Sequence, residues 1–195
     1  MHGRTWLGID VGGKRKGFDL ALIDAQALLV LCGGLERDAV IGLIERERPA
    51  LVAIDSPRGC APPGRSARDG ERALAKAICG IRWTPDASRV RASDYCAWIR
   101  EGLALFDALS ARDVAVLEVF PTASWTRWQG GRGRQSRSAW TRGGLEALQL
   151  EGVPTRTNQD QRDAIAAAVT ARLHTLGMTE TIGDIVVPLL RTPLA

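Results

Sequence analysis

The fold of this chain is decided near its N-terminus, by the stretch Leu7-Gly8-Ile9-Asp10-Val11-Gly12-Gly13. Apolar residues lead directly into a carboxylate, and glycines follow it, which predicts a buried strand that ends at Asp10 in a tight turn. A carboxylate at the end of a buried strand costs free energy unless it is paired, hydrogen-bonded or bound to a metal. Asp10 is therefore the first candidate functional residue.

Three more acids occupy similar positions downstream. Asp55 ends the apolar run 51–54, Glu118 interrupts the apolar run 114–120, and Asp163 begins the apolar part of a helix. We expect these acids and Asp10 to meet around divalent metal, because hard oxygen ligands suit Mg²⁺ or Mn²⁺. In a two-metal phosphodiesterase site, Asp10 would be the bridging ligand. Asp55 and Glu118 would flank it, and Asp163 would lie near the attacking water.

Such a cluster makes an electrostatic prediction for the metal-free protein. Two carboxylates about 4 Å apart repel by roughly 4 kcal/mol at an effective dielectric constant of 20. At least one of the carboxyl pKa values should therefore rise when no metal is bound.

Each acid also has an ordinary structural explanation. Asp10 could shape a glycine turn, and Asp55 could cap the break after its strand. Glu118 could pair with an arginine, and Asp163 could be a first-turn helix acid favoured by the helix dipole. Asp160 is read as such a helix-start acid. The site hypothesis is favoured because one fold would bring all four positions side by side.

Size and composition indicate one ordinary globular domain that spans residues 1–195. The chain is 45% hydrophobic and 25% charged, and its formal charge of +4 is compatible with a polyanionic partner. No apolar run approaches the roughly 18 residues of a membrane span. The four cysteines include no Cys-x-x-Cys pair, so we expect no zinc site, reduced thiols and a cytoplasmic location.

The order of the predicted elements indicates an α/β protein. Strands at 5–10, 17–23 and 27–31 predict an antiparallel meander, which a helix at 36–48 and a strand at 51–55 follow. A helical insertion is predicted at 59–112, with helices near 66–78 and 93–109. A strand at 114–120, helices at 145–150 and 158–176 and an edge strand at 185–188 follow it. This order predicts a ribonuclease H-like mixed sheet of five strands, the meander beside parallel strands, flanked by helices, to which 185–188 could add a further edge strand.

Four blocks of the sequence resemble a known family. They are Gly8-Ile9-Asp10-Val11-Gly12-Gly13, Ala53-Ile54-Asp55-Ser56-Pro57, Glu118-Val119-Phe120-Pro121 and Asp163-Ala164-Ile165-Ala166-Ala167-Ala168. In this order they are similar to domain-of-unknown-function family 429, whose members are described as predicted nucleases of ribonuclease H fold. The first block is also similar to RuvC-type resolvases and their YqgF-type relatives, and Asp160 with Asp163 resembles the paired acids on the last resolvase helix. Resolvases have Glu where this chain has Asp55. The resemblance implies a metal-dependent nuclease.

Basic and aromatic residues near the acids are candidates for binding nucleic acid. Between residues 119 and 145, arginines alternate with tryptophans and no acid occurs. Such residues stack on bases and contact phosphates in single-strand binding proteins, although the tryptophans could equally fold back on the core. The predicted substrate-binding residues are Lys14, Arg15, Arg58, Arg65, Trp125, Arg127 and Trp128, with Arg68 as a further candidate.

Two other functions remain open on the sequence alone. The glycine-rich block 8–13 is also similar to the first phosphate-binding hairpin of sugar kinases and actin, which would make the chain a nucleotide-binding, phosphotransferase-like half-fold. A noncatalytic module that binds nucleic acid or protein through the arginine and tryptophan segment is the third possibility. The sequence does not fix the oligomeric state.

Overall fold

A computed structural model describes residues 3–13 and 16–189 of the chain. Its strands are β1 (Trp6–Val11), β2 (Phe18–Ile23), β3 (Leu28–Leu35), β4 (Leu51–Asp55), β5 (Val116–Val119), β6 (Thr179–Ile182) and β7 (Ile185–Pro188). Its α-helices are α1 (Arg37–Glu47), α2 (Asp69–Ala77), α3 (Ala87–Ala92), α4 (Ala97–Ser110), α5 (Pro121–Gln129), α6 (Arg137–Ala147) and α7 (Gln159–Thr175). In these ranges no helix combines the length and the apolar character that a membrane crossing needs.

The strands of the described residues form one mixed sheet in the order β3-β2-β1-β4-β5-β7-β6. β1 pairs with β2 in antiparallel and with β4 in parallel orientation, and β5 and β7 continue the parallel part. The predicted ribonuclease H-like fold is confirmed. The predicted count of five strands is wrong, because β6 and β7 form a hairpin. Ile185–Pro188 is therefore an inner strand, and β6 is the edge.

Alternation of side chains across β1 divides the core into two layers. Leu7, Ile9 and Val11 pack with apolar residues of α1 and α4 on one face of the sheet. Trp6 packs on the other face, with the apolar side chains of α7. The helix lies very close to β1, because a Cβ atom added to Gly8 would come 2.0 Å from the backbone oxygen of Ala164. Asp10 has the same parity as Trp6 and Gly8 and thus belongs to the α7 face.

The predicted insertion, residues 59–112, has two structurally different parts. Leu105, Phe106 and Leu109 of α4 pack into the same core cluster as Leu7 of β1, so this helix is a layer of the central fold. The part from residue 59 to residue 96 contains α2 and α3, and it supplies one wall of the cavity described below.

The segment that follows β5 is more helical than the sequence predicts. Pro121 ends the strand as expected, but it is also the first residue of α5, a position where proline's fixed φ favours a helix. The helix predicted at 145–150 begins earlier, at Arg137, because the side chain of Ser136 accepts a hydrogen bond from the Ala139 N–H and caps it.

Candidate functional site

Two carboxylates meet at the ends of the central parallel strands. Asp10 of β1 and Asp55 of β4 are register partners, so their side chains project from the same face of the sheet. Their carboxyl groups are close enough to hydrogen-bond each other. Two ionised carboxylates cannot share such a bond, so this arrangement favours a proton on one of the two.

Helix α7 adds two further acids to this face. Asp160 lies in its first turn and accepts a hydrogen bond from Lys16 Nζ at 2.8 Å. Asp163, one turn later, is 2% exposed. Its carboxylate accepts hydrogen bonds from Trp125 Nε1 at 3.1 Å, from Gln159 Nε2 at 3.0 Å and from Arg137 Nη2 at 2.8 Å. The close approach of α7 to Gly8 is what brings these acids to the end of β1.

The pKa values show that these acids interact. Burial, reinforced by the charges of Asp163 and then of Asp160, raises the pKa of Asp10 to about 8. Burial and the charge of Asp10 raise the pKa of Asp55 well above its usual range. Burial also raises the pKa of Asp163, although the Arg137 guanidinium opposes this change. These directions agree with the expectation that at least one carboxyl pKa rises without metal, although burial contributes more than the repulsion between the acids.

Asp19 is a neighbour that the sequence analysis missed. It is the antiparallel register partner of Asp10 on β2 and is 7% exposed. Burial raises its pKa, and its charge contributes to the raised pKa of Asp10. The signal was present in the sequence, because Asp19 has the same parity as Ala21 and Ile23, which pack on the α7 face.

Glu118 does not join the aspartates. Leu117 and Val119 pack on the α7 face, whereas Glu118 pairs in register with Ile54, which packs on the opposite face. Its two carboxylate oxygens accept hydrogen bonds from the two terminal nitrogens of Arg68, and Oε2 also accepts one from the Arg58 backbone N–H at 2.8 Å. The assignment of Glu118 as a flanking metal ligand is therefore corrected, since it is the anionic partner of a buried arginine.

The Arg68 pair extends into a buried network. Glu71, 1% exposed, accepts hydrogen bonds from Arg68 Nε at 3.1 Å and from the Thr84 backbone N–H at 2.9 Å. These contacts connect the start of α2 and the segment before α3 to β5. Arg68 thus holds the insertion against the sheet, and it is not free to bind a phosphate.

The substrate-binding residues predicted in the arginine and tryptophan segment contact other parts of the protein. Trp125 has 0% exposure and donates to Asp163, so the prediction that it stacks on a base is wrong, because α5 turns it into the core. Trp128 is half-buried, with its ring centre 5.2 Å from that of Trp125. Arg127 forms an ion pair with Glu180 on the edge strand.

Two of the remaining predicted substrate-binding residues have exposed side chains. Arg65 is exposed and donates to Asp69 at 3.0 Å. Arg58 is exposed, and its guanidinium carbon lies 5.8 Å from the centre of the Phe106 ring. Lys14 and Arg15 lie outside the described residues.

The acids open into one cavity of about 690 Å³. The residues that line it include Asp10, Asp55, Asp160 and Asp163, together with the basic residues Lys16 and Arg137. The insertion contributes Gly80, Ile81, Arg82 and Thr84 to the lining. Glu118 reaches the same cavity from the other face of the sheet.

The donor set fits a hard divalent cation, but the side chains are not arranged around one point. Carboxylate oxygens are the ligands that Mg²⁺ and Mn²⁺ prefer. Among the described residues, no group of three or more His, Cys, Asp or Glu side chains is placed to hold a metal ion. The reason lies in the contacts above: Asp163 is turned to Arg137 and Gln159, and Asp160 is turned to Lys16.

Comparison with solved structures identifies the class of fold. The chain is similar to Thermus thermophilus RuvC in complex with a Holliday junction substrate, with a TM-score of 0.51 and 15% identity over 89% of this chain and 96% of that one. Another structure of Thermus thermophilus RuvC gives a TM-score of 0.49 and 16% identity over the same shares. The fold is thus that of the ribonuclease H-like proteins.

The chain belongs to the family described as "Protein of unknown function (DUF429)", which it matches over residues 8–186. A comparison with curated proteins found no match. The resemblance seen in the sequence is therefore confirmed at the level of family and fold.

Proposed function

We propose that this protein is a divalent-metal-dependent nuclease or phosphodiesterase that acts on nucleic acid. The observation that carries the proposal is the group of aspartates on one face of the sheet, with Asp10 and Asp55 at adjacent strand ends and Asp160 and Asp163 on α7. Acids held this close in a cavity destabilise one another unless a proton or a cation neutralises them.

Mg²⁺ or Mn²⁺ is the proposed cofactor, with Asp10, Asp55, Asp160 and Asp163 as the residues that would hold it. Such a metal ion supplies an activated water and stabilises the leaving oxygen of a phosphodiester. Metal binding requires Asp10 and Asp55 to give up their shared proton. It also requires Asp163 to exchange its hydrogen bond from Arg137, and Asp160 its hydrogen bond from Lys16.

The basic residues of the same cavity suit a phosphodiester. Lys16 and Arg137 are 69% and 48% exposed, so each can turn from its aspartate to a phosphate oxygen at little cost. Arg82 also lines the cavity and is exposed. In this proposal these cations bind and orient the phosphate, and the aspartates lie behind it. The RuvC of similar fold that was solved with a Holliday junction substrate supports nucleic acid as the partner class. The cytoplasmic location remains a prediction.

One observation favours a second candidate, a noncatalytic module that binds nucleic acid. Asp163 already has a guanidinium partner, and a permanent pair of this kind would exclude metal. The phosphotransferase-like half-fold has no comparable support, since proteins of that type repeat the fold twice and the described residues form a single sheet.

Cleavage assays separate these candidates. Labelled single-stranded, duplex and four-way-junction substrates are incubated with Mn²⁺ or Mg²⁺ and the wild type, Asp10→Asn, Asp163→Asn or Asp113→Asn. The last is a matched control, because Asp113 is exposed and has a left-handed backbone that asparagine tolerates. We expect the wild type and the control to cleave at least one substrate and the two site variants to lose activity. Equal cleavage by all four proteins rejects the catalytic assignment, and binding without cleavage supports the module.

A further inference from the structure

The cavity contains a second chemical surface, distinct from the aspartates. Trp98, at the start of α4, lines it and is partly buried, and its indole N–H has no hydrogen-bond partner among the described residues. Ser56 also lines the cavity, is 2% exposed and has an unpaired hydroxyl. Both polar atoms are covered by protein, and Ser56 Oγ lies against Gly102 of α4, so the surface that Trp98 offers to a ligand is the apolar part of its indole.

Aromatic and basic residues continue this surface along the insertion. Arg82 and Thr84 line the cavity, and Trp83 between them is 45% exposed. The guanidinium carbon of Arg72 lies 5.7 Å from the centre of the Trp83 ring, which holds this ring at the protein surface. Trp98 in the cavity, the exposed Trp83 and its sequence neighbour Arg82 supply the indoles and the guanidinium that suit a chain of bases and phosphates.

We propose that the cavity is a nucleotide-binding subsite for single-stranded nucleic acid, in which a base packs against Trp98 and the adjoining phosphate reaches the aspartates. A volume of about 690 Å³ lies in the range of small-ligand sites and accommodates a nucleotide, not a duplex. A base inside a duplex is covered by its stacked neighbours, so it enters such a cavity only when it is unpaired or extruded. The inference rests on the proposed function for the nature of the ligand, and it replaces the predicted base contacts of Trp125.

Binding measured without metal tests this subsite independently of cleavage. The probe is a fluorescein-labelled ten-nucleotide single-stranded DNA, with its duplex form and thymidine monophosphate as comparisons, followed by anisotropy or competition in EDTA. We expect the single strand to bind at least about tenfold more tightly than either comparison. Equal affinity for the duplex would overturn the assignment to single strands. Equal affinity for thymidine monophosphate would show that the protein binds a nucleotide and not a strand.

A blocking substitution tests the position of the ligand. Gly80 lines the cavity and a Cβ added to it meets nothing within 4 Å, so Gly80→Leu fills space without disturbing the fold. Gly42 on α1 is equally open and does not line the cavity, which makes Gly42→Leu the matched control. We expect Gly80→Leu to weaken single-strand binding about tenfold or more and Gly42→Leu to leave it unchanged. Wild-type affinity of a folded Gly80→Leu protein overturns the proposal.

Substitutions at Trp98 test the chemistry. Trp98→Phe keeps an aromatic ring but reduces its stacking area, and the N–H that it removes is covered by protein, so we expect binding to weaken by less than about tenfold. Trp98→Ala also removes the stacking surface, and the loss should exceed that of Trp98→Phe. Tyr95→Ala is the control, because Tyr95 is 67% exposed and does not line the cavity. If Trp98→Phe and Trp98→Ala, both folded, bind like the wild type, Trp98 is not part of a base site. A wild-type protein that binds single strands but cleaves no substrate with Mn²⁺ or Mg²⁺ would contradict the proposed function and leave this subsite standing.

Discussion

Arg137 of α6 donates a 2.8 Å hydrogen bond to Asp163 of α7, and the two side chains differ sharply in burial. The carboxylate side chain is 2% exposed, whereas the guanidinium side chain is 48% exposed. The buried acid is fixed, and the arginine can leave it. Arg137 therefore competes with any cation that approaches Asp163, and a phosphate that draws Arg137 away would make this acid available.

The first prediction follows from that competition. Arg137→Ala should raise the affinity for Mn²⁺ by about fivefold, because a half-exposed charge-assisted pair contributes on the order of 1 kcal/mol. Isothermal titration calorimetry of the purified proteins measures this change. Arg134→Ala is the control, since Arg134 is exposed in the same segment and does not line the cavity. Weaker Mn²⁺ binding by Arg137→Ala than by the wild type would contradict the competition.

Glu118→Gln distinguishes a structural acid from a metal ligand. This change leaves Arg68 buried with Glu71 as its remaining close carboxylate, so the free energy of unfolding should fall by about 2–4 kcal/mol. The affinity of the folded protein for Mn²⁺ should not change, because Glu118 faces away from the aspartates. Urea unfolding and calorimetry give the two quantities. A large loss of Mn²⁺ affinity with normal stability would restore the original assignment of Glu118.

The raised pKa of Asp10 predicts a pH-dependent stability in the absence of metal. In the unfolded chain Asp10 loses its proton near its ordinary pKa of 3.8, whereas in the folded protein it keeps the proton until about pH 8. Folding stability that is present below pH 4 is therefore lost as the pH rises through 8. We expect the contribution of Asp10 to the free energy of unfolding to fall by about 1–3 kcal/mol between pH 5 and pH 8.5.

A matched variant isolates the contribution of Asp10 to this pH dependence. Asp19, Asp55 and Asp163 also have raised pKa values and act in the same direction. Asp10→Asn keeps a hydrogen-bonding side chain that does not titrate, so its unfolding free energy should depend less steeply on pH. Identical pH profiles in EDTA for Asp10→Asn and the wild type would show that Asp10 titrates normally.

Gly8→Ala tests whether the approach of α7 to β1 is needed. The added Cβ would lie 2.0 Å from the Ala164 oxygen and 2.2 Å from the Ala168 nitrogen, both backbone atoms that cannot move separately from the helix. We expect a loss of about 3 kcal/mol or more in unfolding free energy. Gly42→Ala on the open side of α1 should instead stabilise the protein by about 0.5–1 kcal/mol. Thermal unfolding of both variants checks the pair, and a mild effect of Gly8→Ala would mean that α7 packs less closely.

The sequence predicted the parts of the fold and site that depend on local pattern. Asp10 and Asp55 end apolar strands, and the parallel pairing of those strands is enough to make them neighbours. Asp163 was found because it begins an apolar helix. The meander and the last helix were likewise visible in the spacing of apolar residues.

The parts that were missed depend on strand parity and on long-range contacts. Glu118 was assigned to the site because it interrupts a strand, but its parity with Val116 places it on the face away from α7. Asp19 could have been found by the same reasoning. The burial of Trp125 could not have been found in this way. It depends on the packing of α5 against α7, where Trp125 contacts Asp163, 38 positions away in the sequence. Asp160 is both the helix-start acid that was expected and a member of the acidic group.

Binding of Mn²⁺ tests the central claim most directly, because it asks whether aspartates far apart in sequence share one cation site. Calorimetric titration of the wild type, Asp10→Asn, Asp55→Asn and the exposed control Asp113→Asn requires no knowledge of the substrate. The account predicts saturable binding by the wild type and the control, and affinity at least about tenfold lower in both site variants, since each removes a ligand charge. Equal Mn²⁺ affinity in all four proteins, or no binding by the wild type, would contradict it.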